Sequence, residues 1–350
     1  MKDLSKLTKV YDFENHMYAK ELFDLLKKRK QYPYLDDIGD IHMSDGMTVL
    51  GGEIVGINRP NVKCDDDLLD ISDGRIGMMD DAELMCAILS TSDAIELLPR
   101  EEAVKMSQIT NDVVAEAVKK YPGRFLGSFC LPTPYVEDSV KEIDRAVNKL
   151  GLKYWHTHSC YGSFRLGDEK YEPIFAKLSE LNTPFYIHPT YPTEQYLLDL
   201  GVAFACAAFG FGVDVMKTAI LLVKGGLFDR YPNLKMILGH MGETFPYIVD
   251  RMDHMMATFR DLDPTIKAKR TFAEYFQNHN IFMSTSGIFT PSIIKFAIDV
   301  FGIDCILYGS DFPYENLKKS MDFVRGLPIS DEDKEKILYK NAEKYILNIR

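Results

Sequence analysis

The sequence is poor in tryptophan and lacks paired cysteines. Its 350 residues include one tryptophan and six cysteines, and no two cysteines form a Cys-x-x-Cys pair. Cys86 and Cys305 each lie inside an apolar run, where a small buried side chain is the usual role of cysteine. Scattered buried thiols of this kind indicate a reducing compartment, so we expect a cytoplasmic protein.

Positive charge and long apolar segments are also scarce. Asp and Glu number 52 against 41 Lys and Arg, which gives a formal net charge of -11. An acidic chain without clustered basic residues is not expected to bind nucleic acid or an anionic membrane. The most apolar stretch, residues 196–223, contains Asp199, Asp214 and Lys217, so we expect it in the core and not across a membrane. The first residues also lack the apolar segment of a signal peptide.

Short β-branched or aromatic runs alternate with amphipathic helical stretches along the chain. The predicted strands cover residues 9–15, 84–90, 124–130, 152–158, 184–188, 235–240, 280–286 and 305–310. Eight strands that alternate with helices predict a single-domain α/β protein, a (β/α)8 TIM barrel spanning residues 1–350. A doubly wound open sheet is the alternative. It is less favoured because no glycine-rich phosphate-binding turn follows the first strand.

Two connections are longer than a typical loop. One is a loop insertion at about residues 27–80, and the other covers about residues 190–212, after the fifth strand. Long connections after barrel strands usually lie over the catalytic face and shape its pocket. Further along the chain, Ser330 begins a Ser-Asp-Glu-Asp sequence that predicts the N-cap of a closing helix.

Side chains suited to metal binding or proton transfer follow four of the predicted strands. Glu14 and His16 end the first strand, and they should converge because residues i and i+2 of a strand point to the same face. The fifth strand ends at His188, the sixth ends at His240, and Asp311 follows the eighth. In a (β/α)8 barrel the catalytic groups lie at these carboxyl ends of the strands.

Each of these residues has an ordinary structural interpretation when it is considered alone. A single histidine after an apolar run is more often a hydrogen-bonded structural residue than a ligand, and Asp311 before Phe312-Pro313 fits a turn or a helix N-cap. Their occurrence together, in order and each at a strand end, favours a functional site. His158 ends the fourth strand two residues after His156, and we expect it to face the pocket and contact substrate.

Four segments of the sequence carry a family resemblance. They are Asp12-Phe13-Glu14-Asn15-His16, Tyr186-Ile187-His188-Pro189, Gly239-His240-Met241-Gly242-Glu243 and Tyr308-Gly309-Ser310-Asp311-Phe312-Pro313. With them the chain resembles the amidohydrolase superfamily, and within it the metal-dependent decarboxylases of γ-resorcylate, 5-carboxyvanillate and aminocarboxymuconate semialdehyde. The first motif of this family is usually His-x-His. The Glu-x-His found here is closer to the hydroxybenzoate-type enzymes.

The resemblance implies a role for each residue at the strand ends. The implied metal ligands are Glu14, His16, His188 and Asp311. His240 would lie beside the metal with Glu243 and Arg251 as its polar support, and Arg251 would also neutralise the substrate. No lysine ends the fourth strand, where binuclear members carry a carboxylated lysine, so one divalent ion per subunit is implied. Zinc and manganese both suit a mixed carboxylate and imidazole shell.

The function implied is the non-oxidative decarboxylation of a small aromatic, hydroxybenzoate-like carboxylic acid. Asp311, protonated in the resting complex, would deliver its proton to the carbon that carries the carboxylate. His240 would hydrogen-bond the chelating oxygen of the substrate. The same residues would also suit a hydrolase or hydratase acting on a lactone, amide or unsaturated acid, and a barrel kept as a binding protein is a third possibility. The family further implies a homodimer or homotetramer.

Overall fold

Eight parallel strands form the inner layer of the protein. The computed structural model describes residues 7–35, 41–42, 64–91, 94–161, 164–190, 192 and 194–347. The strands are β1 (Thr8–Met17), β2 (Leu84–Thr91), β3 (Phe125–Gly127), β4 (Trp155–His158), β5 (Phe185–His188), β6 (Met236–Leu238), β7 (Ile281–Ser284) and β8 (Ile306–Leu307). Each overlaps one of the eight predicted strands.

The strands close into a ring in chain order. β1, β2 and β3 form one parallel sheet, and β4 to β8 form a second. Phe129 pairs with Trp155 at one junction of the two sheets, and Asn15 pairs with Phe312 at the other. These two bridges complete the (β/α)8 barrel that the sequence predicts, and the open doubly wound alternative is wrong.

Helices follow the strands on the outside of the barrel. They are α1 (Lys20–Lys28), α2 (Cys64–Leu69), α3 (Asp73–Asp81), α4 (Arg100–Lys120), α5 (Val136–Asn148), α6 (Glu172–Glu180), α7 (Gln195–Leu198), α8 (Val202–Ala205), α9 (Gly210–Lys224), α10 (Leu227–Arg230), α11 (Phe245–Phe259), α12 (Phe272–Gln277), α13 (Pro291–Phe301), α14 (Leu317–Arg325) and α15 (Asp331–Glu335). Two π-helical segments, Lys336–Lys340 and Ala342–Ile346, continue α15. The Ser330 hydroxyl accepts a hydrogen bond from the Asp333 amide, which confirms the predicted cap.

The core is built from strand side chains that are buried on both faces, as expected for a parallel sheet covered by helices. The single tryptophan, Trp155, is fully buried on β4 and packs near Phe175 and Phe185. Five cysteines are buried and unpaired, as predicted: Cys86, Cys130, Cys160, Cys206 and Cys305. The Cys64 side chain lies outside the described residues.

The two long connections lie after β1 and β5. The predicted insertion at 27–80 is described only in part, because residues 36–40 and 43–63 lie outside the described residues. The connection after β5 contains α7 and α8, where Tyr196, Phe204 and Phe209 are exposed. By length and composition alone Ala203–Lys224 could cross a membrane, but half of its most apolar window is buried, as in the core helix of a soluble protein.

Candidate metal centre

Four side chains meet at the carboxyl end of the barrel, and they are the four predicted metal ligands: Glu14, His16, His188 and Asp311. One ligand atom from each lies within 4.8 Å of the other three. His16 Nε2 is 3.8 Å from Glu14 Oε1 and 3.4 Å from Asp311 Oδ1, and His188 Nε2 is 3.4 Å from Glu14 Oε1. Ligand atoms that share one ion at about 2.0–2.2 Å lie roughly 3–4 Å apart. The observed spacings therefore fit a single ion.

Two ligand atoms of this group are buried without a protein partner. Glu14 Oε1 and His16 Nε2 have no hydrogen bond among the described residues. The other oxygen, Glu14 Oε2, accepts hydrogen bonds from the Tyr186 hydroxyl and from Ser284 Oγ, the latter at 3.1 Å. A buried polar atom that lacks a partner costs about 1–3 kcal/mol. Because a divalent cation would satisfy both atoms, the residues present fit a bound metal.

Asp12 connects β1, which carries Glu14 and His16, to the segment after β8 that carries Asp311. It is fully buried, and its carboxylate accepts hydrogen bonds from the Ser310 amide at 2.8 Å and from the Ser310 hydroxyl at 2.6 Å. It also accepts from Asn15 Nδ2 at 2.9 Å. These contacts fix the carboxyl end of β1 against the segment after β8. The sequence reasoning gave Asp12 no role.

Left-handed backbone conformations are concentrated at the same end of the barrel. His240, Met241 and Glu243 have φ values of 49°, 57° and 58°, and Asp311 has 60°. For a residue other than glycine this conformation costs roughly 1–2 kcal/mol. Strain of this kind persists where the surrounding structure imposes it, and it is common at active sites. The Gly-His-Met-Gly-Glu motif thus forms a strained turn that aims His240 into the barrel.

His240 faces the four-residue group, and Glu243 holds it from behind. His240 Nε2 is 3.9 Å from Glu14 Oε1 and 3.7 Å from Asp311 Oδ2, while its Nδ1 is 2.8 Å from Glu243 Oε1. Glu243 therefore lies where its predicted role as the support of His240 requires it. Arg251 is exposed on α11, and no ion pair with Glu243 occurs among the described residues. The structure does not bring Arg251 into the group.

His158 lies beside the group on β4. It is the register partner of His188 on β5, and the two ring centroids are 5.9 Å apart. Its Nδ1 is 2.9 Å from Glu96 Oε1. His156, two residues earlier, is fully buried and stacks on Tyr186 at 5.4 Å. Glu96 is not among the predicted site residues, because it lies in a turn after β2 and belongs to no recognisable sequence motif.

The charged side chains of this group shift one another's pKa values. Burial lowers the pKa of His16, but the nearby Asp311 and Glu14 carboxylates outweigh burial and raise it to about 9. Burial likewise lowers the pKa of His240, yet the Glu243 and Glu14 carboxylates hold it well above its usual value. For Glu14, burial raises the pKa, but His240, His16 and His188 together hold it well below its usual value.

Two neighbouring imidazoles lower the pKa of Asp311. Burial raises this pKa, but the His16 and His240 imidazoles, 3.4 Å and 3.7 Å from its oxygens, outweigh burial. The prediction that Asp311 is protonated concerns the complex with metal and substrate, and it stays a prediction. His240, whose pKa is raised, lies next to Asp311, with Nε2 3.7 Å from Asp311 Oδ2.

Comparison with known proteins identifies the family. Residues 71–345 match the family model described as Amidohydrolase. The chain belongs to this family. A γ-resorcylate decarboxylase from Rhizobium sp. (strain MTP-10005) is 35% identical to it over 287 residues, which are 79% of this chain and 87% of the relative.

Two solved structures share the fold over nearly their whole length. The 5-carboxyvanillate decarboxylase of Novosphingobium aromaticivorans DSM 12444, solved with manganese and 4-hydroxy-3-methoxy-5-nitrobenzoic acid, is 29% identical and has a TM-score of 0.85, covering 98% of this chain and 96% of that chain. The dihydroxybenzoic acid decarboxylase of Polaromonas sp. JS666, solved with manganese and 2-nitroresorcinol, is 28% identical with a TM-score of 0.81 and 96% coverage of both chains. These relatives confirm the resemblance to the decarboxylase branch and favour it over the hydrolase alternative.

Proposed function

We propose that this protein is a metal-dependent, non-oxidative decarboxylase, a carboxy-lyase that acts on a small hydroxybenzoate-like acid. The observation that carries the proposal is the group of four ligand atoms within 4.8 Å of one another, two of them buried without a protein partner. The proposed ligands of one divalent ion per subunit are Glu14, His16, His188 and Asp311. Manganese is preferred over zinc because both structural neighbours described above were solved with manganese.

The chain's own residues account for the proton transfer. When bound, the divalent ion supplies positive charge that holds the substrate oxygens and stabilises developing negative charge. Asp311 delivers a proton to the ring carbon that bears the carboxylate, and a carbon–hydrogen bond forms there. The bond to the carboxylate carbon then breaks, its electron pair restores the aromatic ring, and CO₂ leaves. His240, with Nε2 3.7 Å from Asp311 Oδ2, is positioned to pass its proton to Asp311.

Glu243 and His158 complete the proposed scheme. Glu243 orients His240 through Nδ1, and His158 contacts the substrate beside His188. Arg251 is exposed on α11 and lies outside the group within one chain. We also propose that the 350 residues form one domain, that the protein is cytoplasmic, and that it assembles into a homodimer or homotetramer. Light scattering would test the assembly state.

The experiment is an assay of CO₂ release from a panel of hydroxybenzoates, using chelator-washed protein before and after manganese is restored. We expect release only from the metal-loaded protein. Asp311→Asn should retain manganese and lose turnover, whereas the exposed-site control Asp261→Asn should keep it. Unchanged activity in Asp311→Asn would remove Asp311 from the mechanism. Hydrolysis of a lactone or amide without CO₂ release would favour the hydrolase alternative.

A further inference from the structure

A buried carboxylate outside the metal group contacts the histidine that ends β4. Glu96 lies in the short 3-10 turn Ile95–Leu97, which follows β2. Its Oε1 is 2.9 Å from His158 Nδ1, and each of the two side chains is only 3% exposed. Ala94, just before the turn, has a φ of 98°, a conformation that residues other than glycine rarely adopt. The chain therefore accepts local strain where it turns Glu96 toward β4.

Two other titratable groups near Glu96 carry no opposite charge that could pair with its carboxylate. Burial and the nearby Glu96 charge both raise the pKa of the Cys130 thiol, and they do the same for the Tyr161 hydroxyl. Both groups therefore stay protonated and uncharged beside it. Among the residues that the structure describes, His158 is the one that pairs with this carboxylate. A buried carboxylate is unfavourable unless it is paired, so this contact is a specific feature of the fold.

The contact fixes which side of the His158 ring can contact a ligand. Because Nδ1 faces the Glu96 carboxylate, a ligand can be contacted only through the other ring nitrogen, Nε2. His158 and His188 are register partners on adjacent strands, and their rings meet edge to face. His158 therefore forms the wall of the site next to a proposed metal ligand.

We infer that the Glu96–His158 pair selects substrates that carry a second ring hydroxyl, one that is not held at the metal. The inference rests on the proposed function. An aromatic acid held at the metal group by its carboxylate and one neighbouring oxygen presents its remaining substituents to the walls of the pocket. On the β4 side, His158 Nε2 forms a hydrogen bond with a hydroxyl there, which a hydrogen at that position cannot form. His158 is the specificity-determining residue, and Glu96 is its positioning residue.

The test compares two ligands that differ by one hydroxyl, 2-nitroresorcinol and 2-nitrophenol, bound to the manganese-loaded protein and measured by calorimetry. We expect the wild type to bind 2-nitroresorcinol at least about tenfold more tightly, because loss of one buried hydrogen bond has an effect of this size. His158→Phe and Glu96→Leu should each abolish the preference, and the double variant should show no further loss. Manganese affinity should stay within about threefold of wild type in all of them, because neither residue is a proposed ligand.

Two further variants separate recognition from general damage to the fold. Glu96→Gln keeps the shape of the side chain and should reduce the preference partially, which provides a second measurement if Glu96→Leu folds poorly. Glu142→Gln is the matched control: Glu142 is a buried carboxylate bonded to Asn111 and Arg145, on α4 and α5. This control should keep the full preference for 2-nitroresorcinol.

The outcomes distinguish this inference from the proposed function. A preference that persists in His158→Phe and Glu96→Leu overturns the inference alone, and so does a loss of preference that is accompanied by loss of manganese. A wild type that binds neither ligand overturns the inference together with the proposed ligand class. The CO₂ assay is independent of the preference, so activity without any hydroxyl preference would leave the decarboxylase proposal standing while removing this one.

Discussion

Tyr186 donates its hydroxyl hydrogen to Glu14 Oε2, and so leaves Glu14 Oε1 to face His16 and His188. Burial and the charge of Glu14 hold the pKa of Tyr186 well above its usual value, so the hydroxyl remains a donor at any physiological pH. Ser284 donates to the same Glu14 oxygen at 3.1 Å. The orientation of the carboxylate is therefore set by the neighbouring strands β5 and β7, and not by β1 alone.

Tyr186→Phe should weaken metal binding by about tenfold, because groups that orient a metal ligand typically contribute 10–100-fold to affinity. The measurement is competition for manganese with a chelator of known affinity. Tyr275→Phe is the control, since it removes another buried hydroxyl, one that donates to Asp229. Equal manganese affinity in the Tyr186 variant and the wild type would show that Ser284 suffices to orient the carboxylate.

Asp12→Asn should lower the free energy of unfolding by about 2 kcal/mol. Both carboxylate oxygens accept hydrogen bonds, from the Ser310 amide and hydroxyl and from Asn15 and Glu14, so the new NH₂ group must face a donor in either orientation. Urea unfolding of the metal-free protein measures the change. Asp112→Asn, at a half-exposed ion pair, should change stability by less than about 0.5 kcal/mol. A similar loss in both variants would contradict the role of Asp12.

Metal affinity should rise with pH and level off near pH 9. In the metal-free protein the pKa of His16 is raised to about 9, so below that pH the imidazole carries a proton that a cation must displace. Protons compete with the metal at low pH, and this competition ends above the raised pKa, so the affinity increases with pH. Calorimetry in two buffers of different ionisation enthalpy should detect about one proton released per ion at neutral pH. Binding without proton release would contradict the protonation of His16.

Glu243→Gln should reduce kcat while leaving manganese affinity nearly unchanged, because Glu243 contacts His240 and none of the four proposed ligands. The Glu243 charge is the largest influence that raises the pKa of His240, so its removal should move the basic limb of the pH–rate profile to lower pH. A smaller kcat with an unmoved profile would indicate a loss of packing. The profile, and not the rate alone, therefore tests the role of Glu243.

The sequence predicted the fold and most of the site because both depend on local pattern. Strand ends are visible as apolar runs that stop, and the alternation of side chains along a strand predicted that Glu14 and His16 converge. The same alternation applies to Tyr186 and His188, so it could also have indicated that Tyr186 points inward. Arg251 shows the limit of motif proximity: it lies close to Glu243 in sequence, but the orientation of α11 leaves it exposed.

The features that the sequence did not reveal depend on contacts across the barrel. Glu96 reaches His158 from a turn two strands away, and no periodicity in the sequence links them. The raised pKa of His240 and the lowered pKa of Asp311 follow from several charges that meet only in the folded protein. The left-handed conformations of Met241 and Glu243 were likewise not predictable, since neither is a residue type that favours them.

The hydrogen bonds between Asp12 and Ser310 join positions 298 residues apart in the chain. The proposed ligands lie on both sides of that junction, since Glu14 and His16 are on the first barrel strand and Asp311 follows the last. All four proposed ligands are therefore present only after nearly the whole chain has been synthesised. Loop closure over such a distance is slow. The proposed ion could therefore bind all four ligands only after the ring has closed, and it would then cross-link the first and last strands.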